Sequence, residues 1–238
     1  MTTIQANSLP DDIDRALLVG RVWRTGANEG PAVVAVRGGR VVDITRHAPT
    51  VADLFERRDL LAIVGSAEGE DLGPVRELAD AAVRGEAGTN GIRLLAPCDL
   101  QAIKAAGVTF AVSLLERVIE EQAKGDPSRA AALREHLQAT IGVDLSEIVP
   151  GSEAAQRLKE ELSAQGLWSQ YMEVGIGPDA EVFTKSQPMS SVGHGDAIGL
   201  HPTSHWNNPE PEIVLAVNSR AEIVGATLGN DVNLRDIE

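Results

Sequence analysis

Three carboxylates near the carboxyl end of the chain have the residue types and the spacing of a metal site. Glu210 and Glu212 lie two residues apart, and Asp231 follows after two apolar segments. Residues at i and i+2 of an extended segment project to the same face. Pro209 and Pro211 favour that extension because each fixes its own φ and disfavours the helical region for the preceding residue. All-oxygen ligands of this kind suit Mg²⁺ or Mn²⁺, and Ca²⁺ fits less well.

A β-hairpin is the element that would bring these carboxylates together. Residues 213–217 are apolar, 218–221 carry turn signals, and 222–228 are rich in β-branched residues. Folding this hairpin back places Asp231 near Glu210, where clustered carboxylates would repel one another unless a cation neutralised them. A solvated hairpin mouth, with Asp231 capping a turn at 229–231, fits the same spacing, so the pattern alone leaves both interpretations open.

Four segments of the chain have a distinctive order and spacing: 180–185 (AEVFTK), 192–198 (VGHGDAI), 204–212 (SHWNNPEPE) and 229–236 (GNDVNLRD). Together they resemble the fumarylacetoacetate hydrolase superfamily, and within it the 2-keto-3-deoxy-pentonate (arabinonate or xylonate) dehydratases. The match is strongest from about residue 95 to the end. The resemblance implies an α+β fold with a small N-terminal β-rich module, a helical lid insertion and the start of a mixed β-core.

The resemblance also assigns roles at the predicted metal site. It implies that Glu210, Glu212 and Asp231 bind the divalent ion, Mg²⁺ or Mn²⁺. Glu181 matches an acidic position that acts as an acid or base through a bound water in dehydratases and can be a fourth ligand in hydrolases; we assign it the first role. A surface glutamate at the end of a strand is the alternative for this position.

Three further residues are candidates for binding substrate. Lys185 and Arg235 are interpreted as binding the carboxylate or the hydroxyls of the substrate, and Phe110 is placed with them. Arg235 matches a position that contacts substrate in relatives. A structural ion pair with Asp236 or Glu238 is the alternative for Arg235.

One departure from the family pattern favours dehydration over hydrolysis. Hydrolases of the superfamily carry Gly-x-Asn-Tyr-x-x-His-x-x-Glu, and the corresponding segment here is 107–116, with Ser113 at the histidine position and Glu116 at the glutamate. A serine hydroxyl does not titrate near neutral pH and cannot replace imidazole as the base that activates water. Dehydration consumes no activated water, and Glu181, with Glu116 or Ser113, would transfer its protons.

The predicted function is therefore a metal-dependent dehydratase that converts a 2-keto-3-deoxy-pentonate to 2,5-dioxopentanoate (2-oxoglutarate semialdehyde) in pentose oxidation. An acylpyruvate-type hydrolase or a keto-acid decarboxylase of the same superfamily is the alternative, which Glu116 favours and Ser113 opposes. The family's chains continue past the metal-binding hairpin with a lysine that has no counterpart before Glu238. An inactive fragment of a longer enzyme is therefore a third interpretation.

Composition limits the partners and the compartment. The 238 residues carry a net charge of −14 and a sequence pI near 4.8, which disfavours nucleic acid and anionic membranes as partners. A small anionic 2-keto-3-deoxy sugar acid is the expected partner, and relatives suggest a homo-oligomer, either a dimer or a tetramer. The single cysteine, Cys98, and the lack of a signal segment or a long apolar run predict a cytoplasmic protein.

Local patterns predict the remaining organisation. We expect an N-terminal β-rich module with its linker over 1–92 and a partial catalytic domain over 93–238, with a helical insertion over 99–166. Asp99 is predicted to cap the segment that follows it. The predicted strands are 16–23, 32–36, 40–44, 173–176, 182–183 and 197–200, and the predicted helices begin at Thr50 or span 113–124, 127–141 and 152–166.

Overall fold

The computed structural model describes residues 9–107, 109, 111–141, 147–167 and 171–237, so Phe110 lies outside the described residues. The chain forms two compact units, one made of Met1–Ala102 with Ser186–Glu238 and the other of Ile103–Lys185. Helices and antiparallel sheets are both present, which confirms the α+β class. These units divide at 102/103 and 185/186, whereas the sequence predicted a domain boundary at 92/93 and an insertion over 99–166. The predicted domain boundary and insertion stay predictions.

A five-stranded sheet forms the core of the first unit. Its strand order is β4-β3-β2-β1-β5, and each neighbouring pair is antiparallel. The predicted strands at 16–23, 32–36 and 40–44 are confirmed as the first three of these. Their bounds are β1 Leu18–Arg24, β2 Gly30–Arg37, β3 Arg40–Asp43, β4 Glu70–Pro74 and β5 Arg93–Leu95.

Strand β2 is buried on both faces, because its alternate side chains enter two different cores. Val34 and neighbouring even-numbered residues pack with residues of α3 (Val75–Val83). Val33 and Ala35 pack instead with α1 (Val51–Glu56) and α2 (Leu60–Ser66). A continuous apolar run is what a central strand covered on both faces requires. The predicted helix start is confirmed, since the Thr50 side chain accepts a hydrogen bond from the Asp53 N–H.

Asp99 caps a different helix from the one predicted. Its carboxylate accepts hydrogen bonds from the backbone N–H groups of Val51 at 2.7 Å and Ala52 at 3.0 Å, at the start of α1. The Arg21 guanidinium lies 3.5 Å from the same carboxylate. Asp99 is only 3% exposed, so this carboxylate ties α1 to the sheet. The carboxylate also accepts from the Leu100 N–H at 2.7 Å, but residues 103–106 form a strand, so the prediction that Asp99 caps the segment that follows it is wrong.

The second unit is a helical cluster with a short pair of strands. The predicted helices after Ser113, Pro127 and Ser152 are confirmed, and Ser152 caps the third by accepting from the Ala155 N–H at 3.2 Å. Leu137 and Met172 are fully buried among their apolar faces. The elements are β6 Ile103–Ala106, α4 Ala111–Ala123, α5 Pro127–Ile141, α6 Glu153–Ala164, α7 Tyr171–Ile176 and β7 Val182–Ser186. None of the described helices is long and apolar enough to cross a membrane.

Two predicted strands and one linker differ from the structure. Residues 173–176 form part of helix α7, because Met172 and Ile176 are buried four residues apart in the helical core. Residues 197–200 adopt no regular structure, and Ile198 is 48% exposed. The linker of the predicted 1–92 module, for which no strand was predicted after residue 44, contains β4, whose acidic sequence carries little β-propensity.

The predicted hairpin is confirmed and is longer than expected. Strands β8 (Asn207–Val217) and β9 (Ile223–Leu234) form a separate two-stranded sheet. Each strand has only one neighbour within that sheet, which leaves an open edge of β8 where Pro209 and Pro211 cost no ladder hydrogen bond.

Both ends of this hairpin are anchored within the first unit. At the tip, the Glu56 carboxylate accepts from the Ser219 N–H at 2.7 Å and from Arg220 Nη1 at 3.0 Å. At the base, the Asp236 carboxylate accepts from the His205 N–H at 2.7 Å and Ser204 Oγ at 2.6 Å. These bonds hold the pKa of both carboxyl groups below their usual values. The tip is thereby fixed to the end of α1, and the residues that flank the two strands are held together at the base.

Candidate metal centre

The register of the hairpin brings the three predicted carboxylates to one place. Glu210 on β8 lies directly opposite Asp231 on β9, and Glu212 follows two residues later on the same face. One oxygen from each carboxylate can be chosen so that all three lie within 4.8 Å of one another. Glu210 and Asp231 are half-buried, and Glu212 is exposed. The convergence expected from the spacing is therefore present in the fold.

A divalent cation fits this group of oxygens electrostatically and sterically. Two unit charges 4.8 Å apart repel by about 3 kcal/mol at an effective dielectric near 20. Three oxygens bound to one Mg²⁺ at about 2.1 Å lie about 3 Å apart as neighbours, and about 4.2 Å apart only where two of them are opposite. From separations of up to 4.8 Å, the carboxylates would therefore need to close by up to about 2 Å. Half-burial means that water screens the cluster only in part, and the Arg235 guanidinium supplies one positive charge to Glu210.

Arg235 and Asn208 orient one of the carboxylates. Nη2 of Arg235 lies 2.6 Å from Oε1 of Glu210, and these side chains are only 12% and 20% exposed. The Asn208 amide donates to the same oxygen at 3.3 Å. Arg235 is thus ion-paired with Glu210, whereas the structural alternatives from the sequence were Asp236 and Glu238. A role for Arg235 in binding substrate stays a prediction.

Two asparagines on the carboxylate face escaped the sequence analysis. Asn208 and Asn233 lie opposite each other, and alternation along the strands places them on the face of Glu210 and Asp231. Asn233 is 6% exposed. The signal that could have found them is the i±2 spacing from the carboxylates, which selects 208 on one strand and 233 on the other.

The candidate proton-transfer residues belong to the second unit. The Glu181 carbonyl accepts from the Gly107 N–H at 2.9 Å, while its side chain is exposed. Ser113 lies half-buried in the first turn of α4. Glu116 receives two bonds from Arg134, at 3.0 and 2.6 Å, which join α4 to α5 and hold the pKa of Glu116 below its usual value. A lowered pKa and a paired cation favour a structural role for Glu116, and its catalytic role stays untested.

Lys185 is placed on strand β7 of the second unit. Its ammonium group lies 5.9 Å from the centre of the Phe183 ring, within the range of a cation–π contact. On the paired strand β6, Lys104 Nζ donates to Thr184 Oγ1 at 2.5 Å. This end of β7 therefore has a local cationic character, and the binding of a substrate anion by Lys185 remains a prediction.

The glycines of segment 192–198 are required by close packing. A Cβ on Gly193 would overlap the Leu94 carbonyl oxygen, and one on Gly195, whose φ is +82°, would overlap that of Ala82. The Asp196 carboxylate accepts from the Gly193 N–H at 3.1 Å and closes the loop. These glycines bring the loop against the sheet and helix α3, and His194 between them is exposed.

Comparison with known proteins identifies relatives of one kind. Over 103 residues the chain is 40% identical to a "Probable 2-keto-3-deoxyxylonate dehydratase" of Haloferax volcanii, a match covering 42% of this chain and 35% of that protein. Over 86 residues it is 38% identical to a 2-dehydro-3-deoxy-D-arabinonate dehydratase of Saccharolobus solfataricus, covering 36% of this chain and 29% of that protein. No protein-family model matches the chain.

Solved structures of similar fold have corresponding names. One is 2-keto-3-deoxy-D-arabinonate dehydratase complexed with magnesium and 2,5-dioxopentanoate, with a TM-score of 0.53 and 19% identity, covering 92% of this chain and 57% of that one. Another is a hexagonal crystal form of 2-keto-3-deoxyarabinonate dehydratase, with a TM-score of 0.53 and 21% identity, covering 92% of this chain and 58% of that one.

These findings confirm the resemblance to 2-keto-3-deoxy-pentonate dehydratases. The sequence matches span about a third of the length of the curated relatives, and the chain covers a little over half of the solved chains. At this identity the structural likeness establishes the fold.

Proposed function

We propose that this protein takes part in the magnesium-dependent dehydration of a 2-keto-3-deoxy-pentonate to 2,5-dioxopentanoate. The observation that carries the proposal is the convergence of Glu210, Glu212 and Asp231 on one face of the hairpin, within 4.8 Å of one another. The names of the relatives support it, because two are dehydratases of 2-keto-3-deoxy sugar acids and a solved neighbour carries magnesium and 2,5-dioxopentanoate.

The three carboxylates would hold Mg²⁺ or Mn²⁺ and leave other positions for water and substrate. When bound, the ion supplies a Lewis acid that polarises a 2-keto group and so makes the C3 proton more acidic. Arg235 and Asn208 keep Glu210 in a fixed orientation through the two hydrogen bonds to its Oε1. A fixed ligand set lowers the cost of organising the site when substrate arrives.

Glu181 is the proposed proton-transfer group in the second unit. An exposed carboxylate can exchange protons with solvent and with a bound hydroxyl, and dehydration requires removal of a C3 proton together with protonation of the departing C4 hydroxyl. Glu116 is the weaker candidate because Arg134 already binds both of its carboxylate oxygens. Lys185 would add positive charge for the substrate carboxylate.

The remaining parts of the proposal concern partner, assembly and compartment. The substrate is a small anion, for which a bound divalent ion supplies local positive potential in a chain of net charge −14. A homo-oligomer and a cytoplasmic location are proposed with it, the latter supported by the single cysteine, which suits a reducing compartment.

A turnover assay tests the proposal. The 238-residue chain is incubated with Mg²⁺ and either 2-keto-3-deoxy-xylonate, 2-keto-3-deoxy-arabinonate or an acylpyruvate, and the products are separated. We expect 2,5-dioxopentanoate from the sugar acids and none from Glu212→Gln, while Glu222→Gln at the hairpin tip retains activity. Cleavage of the acylpyruvate instead would indicate the hydrolase alternative, and turnover of no substrate would refute enzymatic activity for this chain.

A further inference from the structure

Asn233 presents an unusual buried amide beside the carboxylate cluster. It is 6% exposed, and neither Nδ2 nor Oδ1 has a hydrogen-bond partner in the structure as described. Strand alternation places it on the face of Asp231, two residues away, and its cross-strand neighbour is Asn208. The register of β8 and β9 is regular through this region, so Asn208, Glu210, Asp231 and Asn233 share one face.

An amide in this state costs stability unless something pairs with it. Buried polar side chains in folded proteins almost always have a partner, which is protein, ordered water or ligand. Leaving one unpaired forfeits its hydration without recovering a hydrogen bond. Both amide atoms are closed off from solvent, so bulk water does not pair with them. A ligand oxygen can pair with them where the atoms that cover the amide move aside to admit it.

The chemistry of the amide restricts what that partner is. Nδ2 donates and Oδ1 accepts, so a group able to do both satisfies the side chain with one oxygen. Hydroxyl groups and water have this property. A metal ion pairs with Oδ1 alone, and a carboxylate pairs with Nδ2 alone, so each leaves one amide atom unsatisfied.

We propose that the Asn233 amide binds a hydroxyl-type oxygen at the carboxylate cluster, supplied by a hydroxyl of the sugar acid or by a water on the divalent ion. This inference rests on the proposed function and gives that site a group that distinguishes hydroxylated 2-keto acids from plain ones. A site that hydrogen-bonds a substrate hydroxyl rejects the analogue lacking it, because its buried polar group is then left unpaired. If the oxygen belongs to the sugar acid, Asn233 therefore selects substrate; if it belongs to a water on the ion, Asn233 supports metal binding.

The test compares Asn233→Leu with Asn230→Leu. Leucine has nearly the shape of asparagine and cannot form hydrogen bonds, while Asn230 lies on the same strand, is exposed and faces the other way. Without metal, the melting temperature is measured. With Mn²⁺, its dissociation constant is measured by electron paramagnetic resonance, together with the water-proton relaxation enhancement of the bound ion. Discrimination between hydroxylated and plain 2-keto acids is measured as the ratio of the KM of the sugar acid to the inhibition constant of 2-oxopentanoate.

We expect Asn233→Leu to melt no lower than wild type without metal, since an unpaired amide has been removed. A loss of about tenfold in discrimination between sugar acid and 2-oxopentanoate, with Mn²⁺ binding unchanged, identifies the substrate hydroxyl. Mn²⁺ binding weakened by about tenfold, with a lower relaxation enhancement, identifies a water on the ion. Asn230→Leu should change neither quantity.

Two results would overturn the inference alone. One is a lower melting temperature for Asn233→Leu without metal together with wild-type ligand binding, which makes the amide structural. The other is wild-type behaviour in every measurement while the wild-type chain binds Mn²⁺ and sugar acid. If instead wild type and Glu212→Gln both bind no Mn²⁺, the proposed function fails and the role of Asn233 fails with it.

Discussion

Replacing Arg235 by glutamine removes the cation that pairs with Glu210. The two side chains meet at 2.6 Å and are 12% and 20% exposed, so the pair is neither fully buried nor on the open surface. Removing one partner leaves the Glu210 carboxylate partly desolvated beside Asp231 and Glu212. Arg235→Gln is therefore expected to destabilise the metal-free protein.

The size of this effect follows from the burial. Exposed ion pairs contribute about 0–1 kcal/mol, and breaking a fully buried pair costs about 3–5 kcal/mol. A charge-assisted hydrogen bond of intermediate burial falls between them, at about 2 kcal/mol. For a chain of this size that corresponds to a fall of about 4–8 °C in melting temperature.

Metal binding should reduce the loss. A guanidinium roughly 6 Å from a divalent ion is repelled by about 5–6 kcal/mol at an effective dielectric near 20, which exceeds the roughly 1–2 kcal/mol cost of ordering one side chain. In Arg235→Gln, the gain in Mn²⁺ affinity from removing the repelling guanidinium is therefore larger than the loss in affinity from a less ordered Glu210 side chain. By thermodynamic linkage, a smaller destabilisation in saturating Mn²⁺ means that Arg235→Gln binds Mn²⁺ more tightly than wild type.

The assay is thermal melting with and without Mn²⁺, together with a Mn²⁺ titration of each variant. Arg220→Gln is the matched control, because its guanidinium also pairs with glutamates of the first unit but is 37% exposed at the hairpin tip. It should cost about 1 kcal/mol or less and leave Mn²⁺ affinity unchanged. The reasoning is refuted if Arg235→Gln melts like Arg220→Gln without metal, or if its Mn²⁺ affinity falls.

Three further predictions concern other parts of the chain. A double-mutant cycle on Glu116 and Arg134, read by urea unfolding, should give a stabilising coupling between the two side chains; no coupling would contradict the tie between α4 and α5. The hydrogen bond from the Ser219 N–H holds the pKa of Glu56 below its ordinary value of 4.5. The ionised carboxylate therefore stabilises the fold fully above about pH 4.5, and this stabilisation is lost as the pH falls through the lower pKa of the folded state. Melting curves between about pH 5 and pH 3 should show this loss, with a flatter dependence for Glu56→Gln; equal dependence in both would contradict it. Gly195→Ala should destabilise the protein by about 2 kcal/mol or more, because Gly195 has a positive φ and an added Cβ would overlap the Ala82 carbonyl oxygen. Gly199→Ala, whose Cβ would face open space, should change the stability by no more than about 0.5 kcal/mol. Equal melting temperatures for the two variants would contradict the packing argument.

Local patterns predicted the features whose causes are local. Pro209 and Pro211 bias their own backbone and that of the preceding residues, so the extension of β8 could be inferred without knowing its partner. Caps such as Thr50 and Ser152 bond to residues three positions away. The hairpin followed from two apolar runs around a turn, and its pairing then determined that Asp231 faces Glu210.

The features that the sequence did not predict depend on distant contacts. Asp99 caps a helix 48 residues earlier, and no local pattern indicates such a partner. Arg235 could pair with any nearby acid by sequence, and the register selected Glu210. Helix α7 was predicted as a strand because a short apolar run fits either structure, and its burial in the helical core decided the outcome.

The central claim is that Glu210, Glu212 and Asp231 bind one divalent ion. The most direct test is an isothermal titration of the 238-residue chain with Mn²⁺, comparing wild type with Asp231→Asn and with Asp236→Asn at the base of the same hairpin. We expect one Mn²⁺ per chain for wild type and Asp236→Asn, and no binding for Asp231→Asn. Equal binding by wild type and Asp231→Asn, or none by wild type, would contradict it.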